Sequence, residues 1–262
     1  MDERDYMESA CPFDVGAWRK APQQAGARIR LGDYLARYDA YMARGEKEQA
    51  GAELRQAMAE AVELGDRHSQ LSLHSELMGY CRQAGLREEG LASVDAGLEL
   101  LRQLGQEGTL TAGTILINAA TALSAFGEHQ RALGNFQEAF RCYGKSLPPA
   151  DQRWAALMNN MAAVYEAAGE REQAEKYYRS ALRVQEQGGG VDIAVTHVNL
   201  AQLLASGEEW EAALAALDEP TLIWDEYYAF TCRKCAAAFE EAGMVDAARE
   251  LRERAEIIHE GA

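Results

Sequence analysis

Positive charge is scarce in this 262-residue chain: 26 Lys plus Arg stand against 42 Asp plus Glu, a formal charge of −16. A surface of that sign repels phosphate backbones and anionic bilayers, which argues against nucleic acid or membrane as a partner. Lysine is rarer still, at positions 20, 47, 145, 176 and 234, an arginine bias read here as compositional. Long hydrophobic runs are missing, and the start, Met1-Asp2-Glu3-Arg4-Asp5, is acidic instead of basic-then-apolar. Neither a membrane span nor a secretory signal is expected from it. Cys11, Cys81, Cys142, Cys232 and Cys235 are an odd number of cysteines scattered along the chain. That usage suits free thiols in a reducing compartment, and a cytoplasmic location is the expectation. Strand signals are also lacking, because Val, Ile and Thr never alternate with polar residues for long. An all-α chain remains.

What the chain does have is a periodic glycine. Gly45, Gly85, Gly127 and Gly169 recur at intervals of 40, 42 and 42, and Gly243 follows after a pair of intervals averaging 37. Five residues beyond each mark stand Ala50, Gly90, Ala132, Ala174 and Ala248; twelve beyond stand Ala57, Gly97, Ala139, Ala181 and Ala255. Between them, nine beyond, come Leu54, Val94, Phe136 and Tyr178. One helical face thus alternates bulky and small side chains, as a helix approached closely by a neighbour requires. Upstream, Tyr41, Cys81, Leu123, Tyr165 and Phe239 precede the marks by four, and Tyr38, Met78, Ala120, Ala162 and Ala236 by seven, a second packing face. A fifth unit fits before Gly243 if Gly207 slips by one, with Ala201 and Leu204 before its turn and Ala213 and Leu217 after.

Six helix-turn-helix units result, and none buries its apolar faces alone. The helical pairs are expected at 31–44 with 47–63, 67–84 with 87–104, 110–126 with 129–146, 151–168 with 171–187, 191–206 with 209–217, and 222–242 with 245–259. Breakers fall where pairs join: Gly65, Gly105 and Gly108, Pro148-Pro149, Gly188-Gly189-Gly190, and Pro220. Residues 1–28 carry Pro12, Pro22, Gly16 and Gly26 around Tyr6, Phe13 and Trp18. That segment is expected to be irregular, and 29–262 to be one continuous α-solenoid.

The stretch from Asn160 to Leu182 places Ala, Tyr, Gly, Ala, Tyr and Ala-Leu in an order that closely resembles the tetratricopeptide repeat. That family's repeat is about 34 residues long. These units are mostly longer, and their asparagine-bearing first helices are similar to the long variant of kinesin light chains and related bacterial proteins. The resemblance covers roughly residues 31–259. It implies a right-handed superhelical solenoid in which the first helix of each pair lines a concave groove for an extended peptide or a helix of a partner protein. No catalytic activity, metal or cofactor is implied.

The sharpest candidate site lies nine residues before each turn mark, at Ala36, Glu76, Asn118, Asn160, Asn199 and Lys234. In the resembled family this position faces the groove, and an amide offers both donor and acceptor to a peptide main chain. Thr121, Asn159 and Gln202 would extend the same surface. Asparagine in a helix interior costs roughly 0.5 kcal/mol relative to alanine, so three in register need a reason. The alternative reason is that these amides bridge adjacent repeats. A carboxylate clamp of Lys and Arg is not supported, since only Arg233 and Lys234 are basic at such positions.

Cys232 and Cys235 form a Cys-x-x-Cys pair, but no second ligand pair accompanies them, and they occupy the inward positions held elsewhere by Met158 and Met161. Packing is the expected role. His74 and His197 are expected to be satisfied, half-buried residues. The glycines at 188–190 lack the strand and the Lys-Ser/Thr of a phosphate loop. Trp224, Tyr227 and Tyr228 form an aromatic group that serves either as a docking patch or as core beside Trp210. Two further functions stay open: a structural scaffold that self-associates with its groove empty, for which a homo-oligomer would be the mark, and a peptide-responsive regulatory sensor. The segment 1–28 is expected either to cap the first pair or to lie in the groove. Deleting it should then lower the unfolding temperature or tighten ligand binding; a variant unchanged in both measurements would remove both versions.

Overall fold

A computed structural model describes residues 28–188, 193–218 and 226–260. Among the described residues there are twelve α-helices and no strand. Of the segment expected to be irregular, only Arg28 is described; the rest lies outside the described residues.

The chain divides into two compact units between Leu147 and Pro148. The first holds three hairpins: α1 (Leu31–Ala43) with α2 (Lys47–Glu63), α3 (Arg67–Ala84) with α4 (Arg87–Gln103), and α5 (Leu110–Ala125) with α6 (His129–Gly144). The second also holds three: α7 (Gln152–Ala167) with α8 (Arg171–Gly188), α9 (Ile193–Ser206) with α10 (Trp210–Leu217), and α11 (Glu226–Glu241) with α12 (Val245–Glu260). In each unit the helices of a hairpin pack together, and successive hairpins stack through α2 on α3, α3 and α4 on α5, α8 on α9, and α9 on α11.

The hairpin turn has one recurring cause. Gly45, Gly85, Gly127, Gly169 and Gly243 all take φ between 69° and 80°, the left-handed region that glycine enters without a Cβ penalty. The next residue then reaches back to a helix carbonyl, as in Glu46 N to Tyr41 O at 3.0 Å, Leu86 N to Cys81 O at 2.8 Å and Glu170 N to Tyr165 O at 2.8 Å. Those bonds satisfy carbonyls that the ending helix leaves unpaired. Of the helices entering from this turn, α2, α4, α8 and α12 carry acids in their first turn, Glu48, Glu88, Glu89, Glu172 and Asp246, where the helix dipole favours negative charge. Three of the helices that open a hairpin, α3, α5 and α7, are capped by side chains instead: Asp66 accepts from Ser69 N, Thr109 from Ala112 N, and Asp151 from Arg153 N.

The fifth turn departs from the glycine rule. Its left-handed residue is Glu208, at φ 63°, and Glu209 N reaches Leu204 O at 3.0 Å as in the other turns. The turn mark is therefore 208, which explains the one-residue slip. Gly207 is small for another reason: a Cβ there would fall on the Arg171 guanidinium, which pairs with Glu209 at 2.5 Å. The same bridge joins Arg87 and Glu128 at 2.7 Å, each in the same register about its own turn.

Cores form as the periodicity predicts. Ala50, Leu54, Ala57, Val94, Ala132, Phe136, Ala139, Ala174, Tyr178, Ala181, Ala248 and Ala255 are all buried. The small positions admit rings from the neighbouring helix. A Cβ on Gly51 would overlap the Tyr80 ring, one on Gly90 the Phe126 ring, and one on Gly113 would lie 2.5 Å from Tyr143 Cε1. No described helix is long and apolar enough to cross a membrane.

A non-glycine residue held left-handed costs roughly 1 kcal/mol. Glu208→Gly should therefore raise stability in urea unfolding by about that amount, whereas Gly207→Ala should lower it; equal, null effects would contradict the assigned turn.

Candidate functional site

The first helices α1, α3, α5, α7, α9 and α11 carry apolar side chains toward their partner helix and a polar band on another face. In the first unit Asn118 of α5 is half-buried, and its Nδ2 donates to Ser75 Oγ on α3 at 2.7 Å. Thr121, also half-buried, donates back to Asn118 O at 3.0 Å. The register thus pairs a residue ten before one turn with a residue nine before the next.

In the second unit the band runs deeper. Asn159 is 0% exposed, Asn160 6%, Asn199 3% and Gln202 6%. Gln202 of α9 uses both ends of its amide across to α11: Nε2 donates to the buried Thr231 Oγ1 at 2.8 Å, and Oε1 accepts from Lys234 Nζ at 3.3 Å. Asn159 has no hydrogen-bond partner on either amide atom. The amides marked by the sequence therefore lie on first helices, half-buried in the first unit and buried in the second. Two of them, Asn118 and Gln202, tie those helices together. Ser75 and Thr231, the other halves of these bonds, were not singled out in the sequence; their only signal is that each sits within three residues of the nine-before position.

At the nine-before position of α3, Glu76 is pushed up to about 7, first by burial and then by the charge of Asp39 on α1. These two carboxylates occupy the six-before and nine-before positions that in α9 and α11 belong to the bonded pair Gln202 and Lys234. Like charges there take the place of a hydrogen bond.

Cys232 and Cys235 are buried free thiols, pushed by burial up to about 11 and about 12 respectively. They pack in the α9–α12 core, as expected. Among the described residues no group of three or more His, Cys, Asp or Glu is placed to hold a metal. His74 is half-buried as expected, yet its Nδ1 lacks a partner, and burial lowers its pKa.

For Tyr228 the docking alternative needs correction. Tyr228 is 1% exposed, donates to Leu217 O at 3.0 Å, and receives Arg254 at 3.3 Å, so it is core. A phenol lying in the apolar cluster of α9–α12 finds its hydrogen bond on the end of α10, which spends the side chain on packing. Trp224, and the side chain of Tyr227, lie outside the described residues. Trp210 meets Phe239 edge-on, ring centroids 4.9 Å apart.

Stacked hairpins with a polar band on their first helices define an α-helical repeat protein. Residues 155–219 match the family model of the tetratricopeptide repeat. Kinesin-light-chain-type TPR-like repeats from Podosopora anserina are 18% identical, with a TM-score of 0.62 over 72% of this chain and 94% of that one. A Rap protein complexed with Competence and Sporulation Factor is 12% identical, with a TM-score of 0.65 over 91% and 77%. NprR in complex with its cognate peptide NprX is 17% identical, with a TM-score of 0.61 over 89% and 68%. No curated protein sequence matches the chain. Residues 155–219 thus match the tetratricopeptide repeat, and the helices share the fold of TPR-like solenoid proteins.

A carboxyl raised from its ordinary 4.5 to about 7 keeps a proton in the folded chain where the unfolded chain has lost it. Its stabilising effect is complete below about pH 4.5 and is lost as the pH rises through 7. Glu76→Gln should therefore raise stability at pH 8 by about 3 kcal/mol and change little at pH 4.5, read from urea unfolding at the two pH values. An equal effect at both would refute the assignment.

Proposed function

We propose that the chain is a non-catalytic interaction module that receives a segment of a partner protein along the polar band of its first helices. Asn118 and Thr121 serve the first unit, and Asn159, Asn160, Asn199 and Gln202 the second. The observation that carries this reading is the amide register itself. Buried amides are costly in a helix interior, and among the described residues Asn159, Asn160, Asn199 and Gln202 are buried on first helices, with Gln185 of α8 the one on a second helix. An amide suits a main chain because it donates and accepts at once. Two of the structurally similar proteins, the Rap protein and NprR, are described as complexes with a factor or a peptide, which supports the same class of ligand.

One observation favours a second reading. Asn118 with Ser75, and Gln202 with Thr231 and Lys234, already bond across successive first helices. In that reading the amides hold the stack, and any partner binds elsewhere. The two readings separate in one experiment. With Asn118, Asn160 and Asn199 all replaced by alanine, the interaction reading expects capture of a partner from native lysate to fall sharply while helicity by circular dichroism stays nearly unchanged. Each lost contact is worth on the order of 1 kcal/mol. Loss of helicity in the triple variant would instead establish the bridging role.

A further inference from the structure

The first four hairpins share two buried positions, one ten residues before the turn glycine on the first helix and one sixteen after it on the second. They hold Leu35 and Ala61 in α1–α2, Ser75 and Leu101 in α3–α4, Ile117 and Tyr143 in α5–α6, and Asn159 and Gln185 in α7–α8. Among these four, only α7–α8 has a polar side chain at both. Asn159 is 0% exposed and neither its Oδ1 nor its Nδ2 has a hydrogen-bond partner; Gln185 is 2% exposed and its Oε1 has none. The packing of α5 on α6 indicates how the two positions lie. Tyr143 comes over Gly113, fourteen before its turn, where a Cβ would lie 2.5 Å from the ring carbon Cε1. The fourteen-before residue of α7 is the buried Ala155, and Asn159 follows it by four, on the same helix face. By that register Gln185 comes over the small Ala155 toward Asn159, between two helices that pack together. Their surroundings are apolar: Ala162 of α7 and Ala174, Tyr178 and Leu182 of α8 share one buried cluster, and the Tyr178 hydroxyl already donates to Glu166 at 3.0 Å.

Buried amide oxygens without donors are costly, and two of them on one hairpin call for a ligand that donates twice. Asn159 Nδ2 calls for an acceptor. Water supplies both kinds of bond, and enclosed polar groups in globular proteins are commonly satisfied by it. We propose that a water molecule is bound between α7 and α8, donating to Asn159 Oδ1 and Gln185 Oε1, as a constant part of the second unit's core. Neither side chain carries a charge that would hold an ion, and both are enclosed, so a small neutral molecule is what fits. The other three hairpins close the same place with Ala61, Leu101 and Tyr143. The inference stands whether or not a partner binds the polar band.

The test uses the full chain. In the 15N-labelled protein the Asn159 side-chain NH2 should give cross-peaks to water of opposite sign in NOE and ROE spectra, the mark of water held in place as against proton exchange. Asn159→Leu identifies that signal by removing it. Absence of such cross-peaks in the parent chain would overturn the bound water. Sharing between the two amides is read from a double-mutant cycle of Asn159→Leu and Gln185→Leu. Each single variant strands the other amide and should lower the unfolding temperature by about 3 °C, while the double variant, with no amide left to hydrate, should recover most of that loss. A double variant that loses the sum of the two, or a single variant more stable than the parent, would overturn the shared site.

Discussion

Close approach of helix to helix, at positions with no room for a larger side chain, is the constraint on which the rest depends. Gly51 admits the Tyr80 ring, Gly90 the Phe126 ring, and Gly113 the Tyr143 ring. In the later hairpins alanines hold the corresponding buried positions, Ala174 and Ala181 on either side of Tyr178 and Ala248 and Ala255 on either side of Leu251. A hairpin of two such helices buries one stripe and leaves another apolar, and only the next hairpin covers it. Stability in each unit is therefore shared between neighbours. Small residues at fixed spacing do more than fill space: they set how deep a large neighbour can sit, and so where the polar band on the first helices comes to lie.

That band is where the two demands on the fold meet. Dense packing excludes water, and amides without water need partners. Asn118 and Gln202 find them on the adjacent first helix. Asn159 does not. Glu76 meets the same exclusion by holding its proton up to about 7. Buried polar groups that are fully bonded fix the register of one helix on the next. The two units differ in this respect, the first having its amide bonded and half accessible, the second having its amides enclosed.

Helix-scale organisation was legible because the signals are local. A glycine entering left-handed φ and small residues at plus five and plus twelve each act on the hairpin that carries them. The expected pairs matched the observed helices to within a few residues, apart from α11, whose expected start at 222–225 lies outside the described residues. The fifth turn was legible only as a slip. Glu208 adopts a conformation that its residue type does not announce, while Gly207, the residue that looks like the turn, is small to let Arg171 pass. Tyr228 was ambiguous for a similar reason: three-and-four spacing puts an aromatic on a face and leaves unstated whether anything covers that face. The asparagine register was visible, but its depth was not, because Asn118 and Asn160 read alike in sequence and differ in how much the neighbouring helix encloses them.

By itself the sequence determined the all-helical class, the repeat, its register and the amide positions, since all of these follow from spacing along a helix and from the φ preference of single residues. Tertiary structure decided which amides are bonded, which are enclosed, and which carboxyl keeps its proton. Those properties depend on what a second helix, some forty residues away in the chain, places against the first, and no local pattern carries that information.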